Sequence, residues 1–95
     1  MPVNKNNRGL RIIVTGGAGF IGSAFIRYLI QTTECFILNI DILTYAANIA
    51  SLAVIEKNPK YKFLKIDIRN TKSITKALDD FQPDAIVNLA AETHV

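Results

Sequence analysis

The run TGGAGFIG, Thr15–Gly22, lies directly after the apolar residues Ile12, Ile13 and Val14 and directly before a segment with helical periodicity. Glycine loses more backbone freedom on folding than any other residue and is a poor helix former. Placing Gly16, Gly17, Gly19 and Gly22 at this one junction therefore needs a reason. The reason that fits a strand-to-helix junction is close approach: something must come up against main chain that carries no side chains there.

The rest of the chain alternates in the same way. Apolar runs at Leu10–Thr15, Cys35–Ile40, Tyr61–Ile66 and Ala85–Ala91 predict four strands, and the second is apolar enough to be covered on both faces. After the glycines, Ile21, Ala24, Phe25, Tyr28 and Leu29 recur at three-four spacing, which predicts a helix with that face inward and Ser23, Arg27 and Gln31 outward. The stretch DILTYAAN reads as a loop, followed by a short helix around Ile49–Glu56 that must stop before Pro59. Asn70 is a candidate cap for a further helix whose inner face would be Ile74, Ala77, Leu78 and Phe81, with Pro83 marking its end. Connections of this length are too long for hairpins, so the strands should be parallel with right-handed crossovers. The expected fold is α/β: a partial Rossmann-like doubly wound parallel sheet, its first four strands in the order 3-2-1-4. Residues 1–9 are expected to form a flexible tail and residues 10–95 the first part of the nucleotide-binding domain.

In that fold the first strand-to-helix turn meets a pyrophosphate, and backbone N–H groups at the helix start supply donors to the anion. Gly16 would permit the tight exit from the strand, Gly19 the close approach, and Gly22 the packing of helix on sheet. The run satisfies two spacings, Gly17-Gly19-Gly22 and Gly16-Gly19-Gly22, and no Lys-Ser or Lys-Thr follows as in a triphosphate loop. Asp41 ends the second strand about twenty residues beyond the last glycine, where a carboxylate accepts hydrogen bonds from ribose hydroxyls and repels a 2′-phosphate. No arginine follows in DILTYAAN, so NAD is preferred over NADP. Asp67 ends the third strand, where it could either cap a helix or hydrogen-bond an adenine.

Other function classes fall away. With 95 residues, 49% of them hydrophobic, the chain makes a single small unit. A net charge of +3 is modest, and Lys5, Arg8 and Arg11 near the start carry no interleaved aromatics, so they read as a solvated tail with no nucleic-acid partner. Cys35 is the only cysteine and reads as a buried structural thiol. His94 has no cysteine or histidine partner at ligand spacing, so no metal site is expected. Neither a signal peptide nor a membrane-spanning run is visible, and the expected location is the cytoplasm.

The stretches VTGGAGFIGS, DILTYAAN, the pair Asp67-Ile68 and QPDAIVNLAAETHV together resemble the extended short-chain dehydrogenase/reductases, and within them the NAD-dependent epimerase/dehydratase family. The glycine run is common to that superfamily, whereas the pieces after the second and fourth strands are characteristic of its sugar-nucleotide dehydratases. The resemblance implies NAD contacts from Phe20 and Ile21 at the pyrophosphate turn, and from Asp41, Ile42, Leu43 and Thr44 around the ribose. It implies further contacts from Asp67 and Ile68 beside the adenine, and from Leu89, Ala90, Ala91, Glu92 and Thr93 along the nicotinamide half. Thr93 and His94 would also face a nucleotide-sugar substrate, dTDP-glucose. Three positions depart from the family's habit: Ile42 replaces a lysine, Ala47 a glycine and Thr93 a serine. The implied reaction is dehydration of the sugar with transient transfer of a hydride to NAD, in a parent enzyme that is a homodimer. The family's Tyr-x-x-x-Lys pair and Thr-Asp-Glu set are expected beyond Val95. Tyr28, Tyr45 and Tyr61 are not read as substitutes, so no catalytic residue is assigned and these residues alone are expected to be inactive. A UDP-sugar 4-epimerase or decarboxylase of the same family, and a noncatalytic NAD-binding module or truncated product, remain the alternatives.

Overall fold

The computed structural model describes residues 9–16, 20–42 and 52–89. Its elements run β1 (Arg11–Thr15), α1 (Phe20–Thr32), β2 (Phe36–Asp41), β3 (Tyr61–Lys65), α2 (Thr71–Phe81) and β4 (Ala85–Asn88). The strands form one sheet in the order β3-β2-β1-β4, and every pair is parallel. The Rossmann-like order expected from the sequence is the order observed. Ile13 sits beside Leu38 on one side and Ile86 on the other, so β1 and β2 form the middle of the sheet.

Alternation along the strands splits the core into two layers. Ile12, Val14 and Ile37 face α1, packing with Ile26, Ile30, Cys35, Leu52 and Ile55. Ile13, Leu38 and Ile40 face the other way, onto Ala77 with Ile74, Leu78 and Phe81 of α2. One helix on each face is what makes the sheet doubly wound, and it leaves the strand ends open for a site.

The face of α2 is the one its periodicity predicts; that of α1 is so only in part, with Phe25 and Leu29 packed against the core. Gly22, Ser23, Ile26 and Ile30 are the buried residues of α1, whereas Ile21 and Tyr28 are 72% and 64% exposed and Ala24 is exposed as well. The inward face is turned by about one residue from the expected one. Small side chains at positions 22 and 23 let the helix lie close to the sheet, and a ranking by hydrophobicity gives them no weight.

Both helices are closed at their carboxyl ends by cations from elsewhere in the chain. Asn70 caps α2, its Oδ1 accepting the Ser73 N–H at 3.1 Å, and Gln82 ends it in the left-handed region with φ 53°. Arg11 is no part of a solvated tail: it is half-buried, Nε donates to the Phe81 carbonyl at 2.6 Å, and the guanidinium lies 4.3 Å from the centre of the Phe81 ring. Lys60 does the same for α1, donating from Nζ to the Thr33 carbonyl at 2.6 Å and the Ile30 carbonyl at 3.3 Å. Cations at a helix carboxyl end meet both its orphan carbonyls and its dipole.

Two further differences follow from packing. The second strand carries Asn39 in the core, fully buried, with Nδ2 donating to the Tyr61 hydroxyl at 3.1 Å. Burial raises the pKa of Tyr61, against the lowering effect of the bond from Asn39. The expected helix around Ile49–Glu56 is described only from Leu52. The N–H groups of Ile55 and Asn58 reach back three residues to Leu52 and Ile55 at 3.0 and 2.9 Å, which closes two successive turns, the second ending directly before Pro59. Of the expected tail only Gly9 is described, with φ 72°.

Candidate functional site

Because all four strands are parallel, their carboxyl ends fall along one edge of the sheet, and the sequence-predicted residues that are described gather there. Thr15 ends β1, and Gly16 follows with φ 79°, a left-handed conformation that favours glycine. Its N–H donates to the Ile40 carbonyl at 2.9 Å, which holds the exit of β1 against β2. Asp41, the last residue of β2, is half-buried, and its carbonyl accepts the Ile66 N–H at 3.2 Å. Asp67 comes next after that bonded residue, so the two acidic positions sit at the ends of neighbouring strands.

Asp67 does not cap α2; that place belongs to Asn70. Its carboxylate is held instead by Arg69, through the backbone N–H at 2.9 Å, Nε at 3.0 and 3.2 Å and Nη2 at 2.7 Å. These bonds, the side-chain ones first, hold the carboxyl at a pKa of about 2, below the ordinary 3.8. The folded value is depressed, so the pair's contribution is present above about pH 4 and is lost as pH falls toward 2.

On the β4 side, Thr15 Oγ1 donates to Asn88 Oδ1 at 2.6 Å and Leu89 N–H donates to the Thr15 carbonyl at 2.7 Å. The sequence reading singled out Leu89 but neither Thr15 nor Asn88; the available signal was a hydroxyl and an amide at the ends of two adjacent apolar strands. Ile42 and Ile68 are 46% and 47% exposed at the same edge. An apolar cavity of about 170 Å³ opens there, lined among others by Thr15, Ile40, Ile68, Leu78 and Asn88. Phe20 begins α1, Ile21 points outward and Gly22 is buried in the first turn. Gly17 and Gly19 lie outside the described residues, as do Leu43, Thr44, Ala47, Ala90, Ala91, Glu92, Thr93 and His94.

A larger cavity, about 560 Å³, lies at the opposite end, among Arg11, Phe36, Tyr61 and Lys62 near the strand starts. Arg11 and Lys60 already spend donors on helix carbonyls there, and Lys76 pairs with Asp80. It lacks the left-handed glycine and the acidic strand ends, so we place the candidate site at the carboxyl edge. Among the described residues no group of three histidine, cysteine or acidic side chains could hold a metal ion.

One sequence coincidence is resolved by the fold. Tyr61 has a lysine four positions on, Lys65, the spacing of the family's catalytic pair, but both belong to β3. Four residues of strand span about 13 Å, against one turn in a helix. The Tyr61 hydroxyl also points into the core, onto Asn39, so the two side chains cannot act on one substrate atom.

A doubly wound sheet with a left-handed glycine after β1 and acidic residues ending β2 and following β3 defines a Rossmann-like α/β protein, with the candidate site at the carboxyl edge. The chain belongs to the GDP-mannose 4,6 dehydratase family, whose model matches residues 13–95. It is 54% identical over 86 residues to the dTDP-glucose 4,6-dehydratase of Haemophilus influenzae, an alignment covering 90% of this chain and 25% of that protein. The crystal structure of dTDP-glucose 4,6-dehydratase from Bacillus anthracis in complex with NAD superposes with a TM-score of 0.81 at 41% identity, over 88% of this chain and 27% of that one. UDP-glucuronic acid 4-epimerase from Bacillus cereus, in complex with UDP-glucuronic acid and NAD, superposes with a TM-score of 0.76 at 31% identity, over 90% and 28% of the two chains. The chain thus spans about a quarter of the length of the curated relatives it matches.

Proposed function

We propose that this chain is the NAD-binding portion of a sugar-nucleotide dehydratase that converts dTDP-glucose to dTDP-4-keto-6-deoxyglucose. The observation that carries the reading is the meeting of Gly16, in its left-handed conformation, with Asp41 at the edge where the order β3-β2-β1-β4 reverses. A main chain without Cβ at the end of β1 and a carboxylate at the end of β2 are the donor and acceptor set that a dinucleotide fits. When bound, NAD supplies the hydride acceptor and donor of the reaction, leaving the cofactor unchanged overall.

The chain's own residues bind and orient. Gly16, Gly19, Phe20, Ile21 and Gly22 would receive the pyrophosphate, and Asp41 with Ile42, Leu43 and Thr44 the adenosine ribose. Asp67 and Ile68 would flank the adenine, Leu89, Ala90, Ala91, Glu92 and Thr93 the nicotinamide half, and Thr93 and His94 the sugar nucleotide. Proton transfer at the sugar is left to groups other than Tyr61 and Lys65. Residues 1–9 are the tail and 10–95 the N-terminal part of the NAD-binding domain in this reading. No helix among the described residues is long and apolar enough to cross a membrane; we infer a cytoplasmic homodimer that uses neither nucleic acid nor membrane.

The UDP-sugar 4-epimerase reading has the 31% identical epimerase behind it, while the 54% identity to a dehydratase favours the first. Calorimetric titration of the protein at its natural length should show NAD binding that Asp41→Ala weakens about tenfold or more, the cost of losing hydrogen bonds to a charged acceptor. NAD bound equally by both forms would exclude the assignment of the ribose site. Incubation with dTDP-glucose should release the 4-keto-6-deoxy sugar nucleotide, whereas a 4-epimer as product would favour the epimerase.

A further inference from the structure

The larger cavity, about 560 Å³, is a cleft between α2 and the edge strand β3, a volume within the range of small-molecule sites. Alternation along β3 turns Lys62, Leu64 and Ile66 to the side of the sheet that α2 covers, and all three line the cleft. Its floor is apolar, built from Phe36, Leu64, Ile66, Ala77 and Phe81. Its charges are uneven: Arg11, Lys60, Lys62 and Lys76 stand against one carboxylate, Asp80. Asp84 is turned to the Arg11 backbone, whose N–H it accepts at 2.9 Å, and does not line the cleft.

The four cations are not equally available. Lys60 is committed to the carboxyl end of α1. Lys76 is held by Asp80 at 3.2 Å, in a pair whose side chains are 78% and 67% exposed, and water competes strongly with such a pair. Lys62 is exposed and bonds no described residue through its side chain. Arg11 is the anchor. A guanidinium carries five N–H donors; Nε uses one on the Phe81 carbonyl, and the two Nη groups bond no described residue. The Phe81 and Phe36 rings lie 4.3 and 5.7 Å from it, so the fork is held in place before any ligand arrives. A fixed fork of this kind matches paired oxygens of a carboxylate or phosphate.

We propose that this cleft binds a small organic phosphate, its head taken by Arg11, Lys62 and Lys76 and its apolar body laid on the floor. Three cations from β1, β3 and α2 exceed what one carboxylate neutralises, whereas a phosphate monoester brings close to two negative charges and three acceptor oxygens. An inorganic anion would leave the Phe36, Leu64 and Phe81 surfaces in water, and an apolar body removes them from it. Neither Gly16 nor Asp41 lines the cleft, so its ligand does not compete with a dinucleotide at the carboxyl edge, and the inference does not rest on the NAD reading.

The test titrates phenyl phosphate, inorganic phosphate and benzyl alcohol by calorimetry into the protein at its natural length. Phenyl phosphate should bind about tenfold or more tighter than either of the others, each of which lacks one half of the complementarity. Lys62→Glu, a change at an exposed position outside the core, should weaken phenyl phosphate about tenfold or more, and Lys62→Arg should hold it within about threefold, as expected for a bond to a charged group. Saturating NAD should leave the affinity as it was. Phenyl phosphate that does not bind, that binds no better than phosphate or benzyl alcohol, or that binds Lys62→Glu as well as the unaltered protein would overturn the proposal. Displacement by NAD would overturn it too, because the anion would then sit at the carboxyl edge.

Discussion

Two glycines in the left-handed region, Gly9 at φ 72° and Gly16 at φ 79°, show how differently two copies of one residue can be read. Gly16 was legible because it belongs to a glycine run directly after an apolar strand, where a tight exit needs a residue free to take a left-handed φ. Gly9 stands alone, and what it needs is supplied by a residue far away in sequence: a Cβ there would run into the backbone of Glu34, coming within 2.7 Å of its carbonyl carbon. No local pattern announces such a contact. Gly9→Ala should therefore lower stability by about 1–3 kcal/mol, since the side chain is strained by φ before the collision is counted. Urea unfolding checks this, and a midpoint equal to that of the unaltered chain would show that the segment before β1 relaxes freely. Arg69 was missed for a related reason. It forms a bidentate pair with Asp67, and a lone arginine after an aspartate has no signature of that geometry.

At the level of elements, the contrast between the two helices explains which was readable. In α2, TKSITKALDDF, apolar residues are few and occur at helical spacing, so one face is defined by what is absent from the others. The α1 sequence, FIGSAFIRYLIQT, is apolar nearly all round, and periodicity then says that a helix exists without saying which side turns inward. The side that wins, through Gly22, Ser23, Ile26 and Ile30, is the one that lets two backbones come close. Caps show the same division. Asn70 is visible in the sequence because an N-cap acts within its own turn, and replacing it by alanine should cost about 1 kcal/mol of stability through loss of the Ser73 N–H bond. Thermal unfolding of Asn70→Ala against Asn70→Asp would check it. Aspartate should retain the stability, and equal losses in both variants would assign the effect to something other than the cap. The cations that close the carboxyl ends, Arg11 for α2 and Lys60 for α1, come from other elements, so no reading of either helix sequence could supply them.

For the molecule as a whole, strand order was legible because parallel connection, handedness and the position of the glycine run leave few topologies open. What a sequence reads less well is how its edges differ. The sheet ends in β3 on one side and β4 on the other. On β3, Lys62 and Lys65 are exposed, the kind of charge that discourages a second strand from pairing. On β4, AIVN carries no charge, Ile86 is 56% exposed, and the apolar cavity at the carboxyl edge reaches it. If these 95 residues are expressed alone, association should run through β4 and not through β3. Sedimentation equilibrium should show oligomers that grow with concentration, and Ile86→Lys should shift them toward monomer by placing on β4 the charge that β3 already has. Glutamate at Lys62 tests the other edge, where exchange of one charge for another should leave the association as it was. A monomer at every concentration, or association that Ile86→Lys leaves untouched, would mean that the exposed isoleucine and the uncharged edge beside it do not govern how this sheet meets its neighbours.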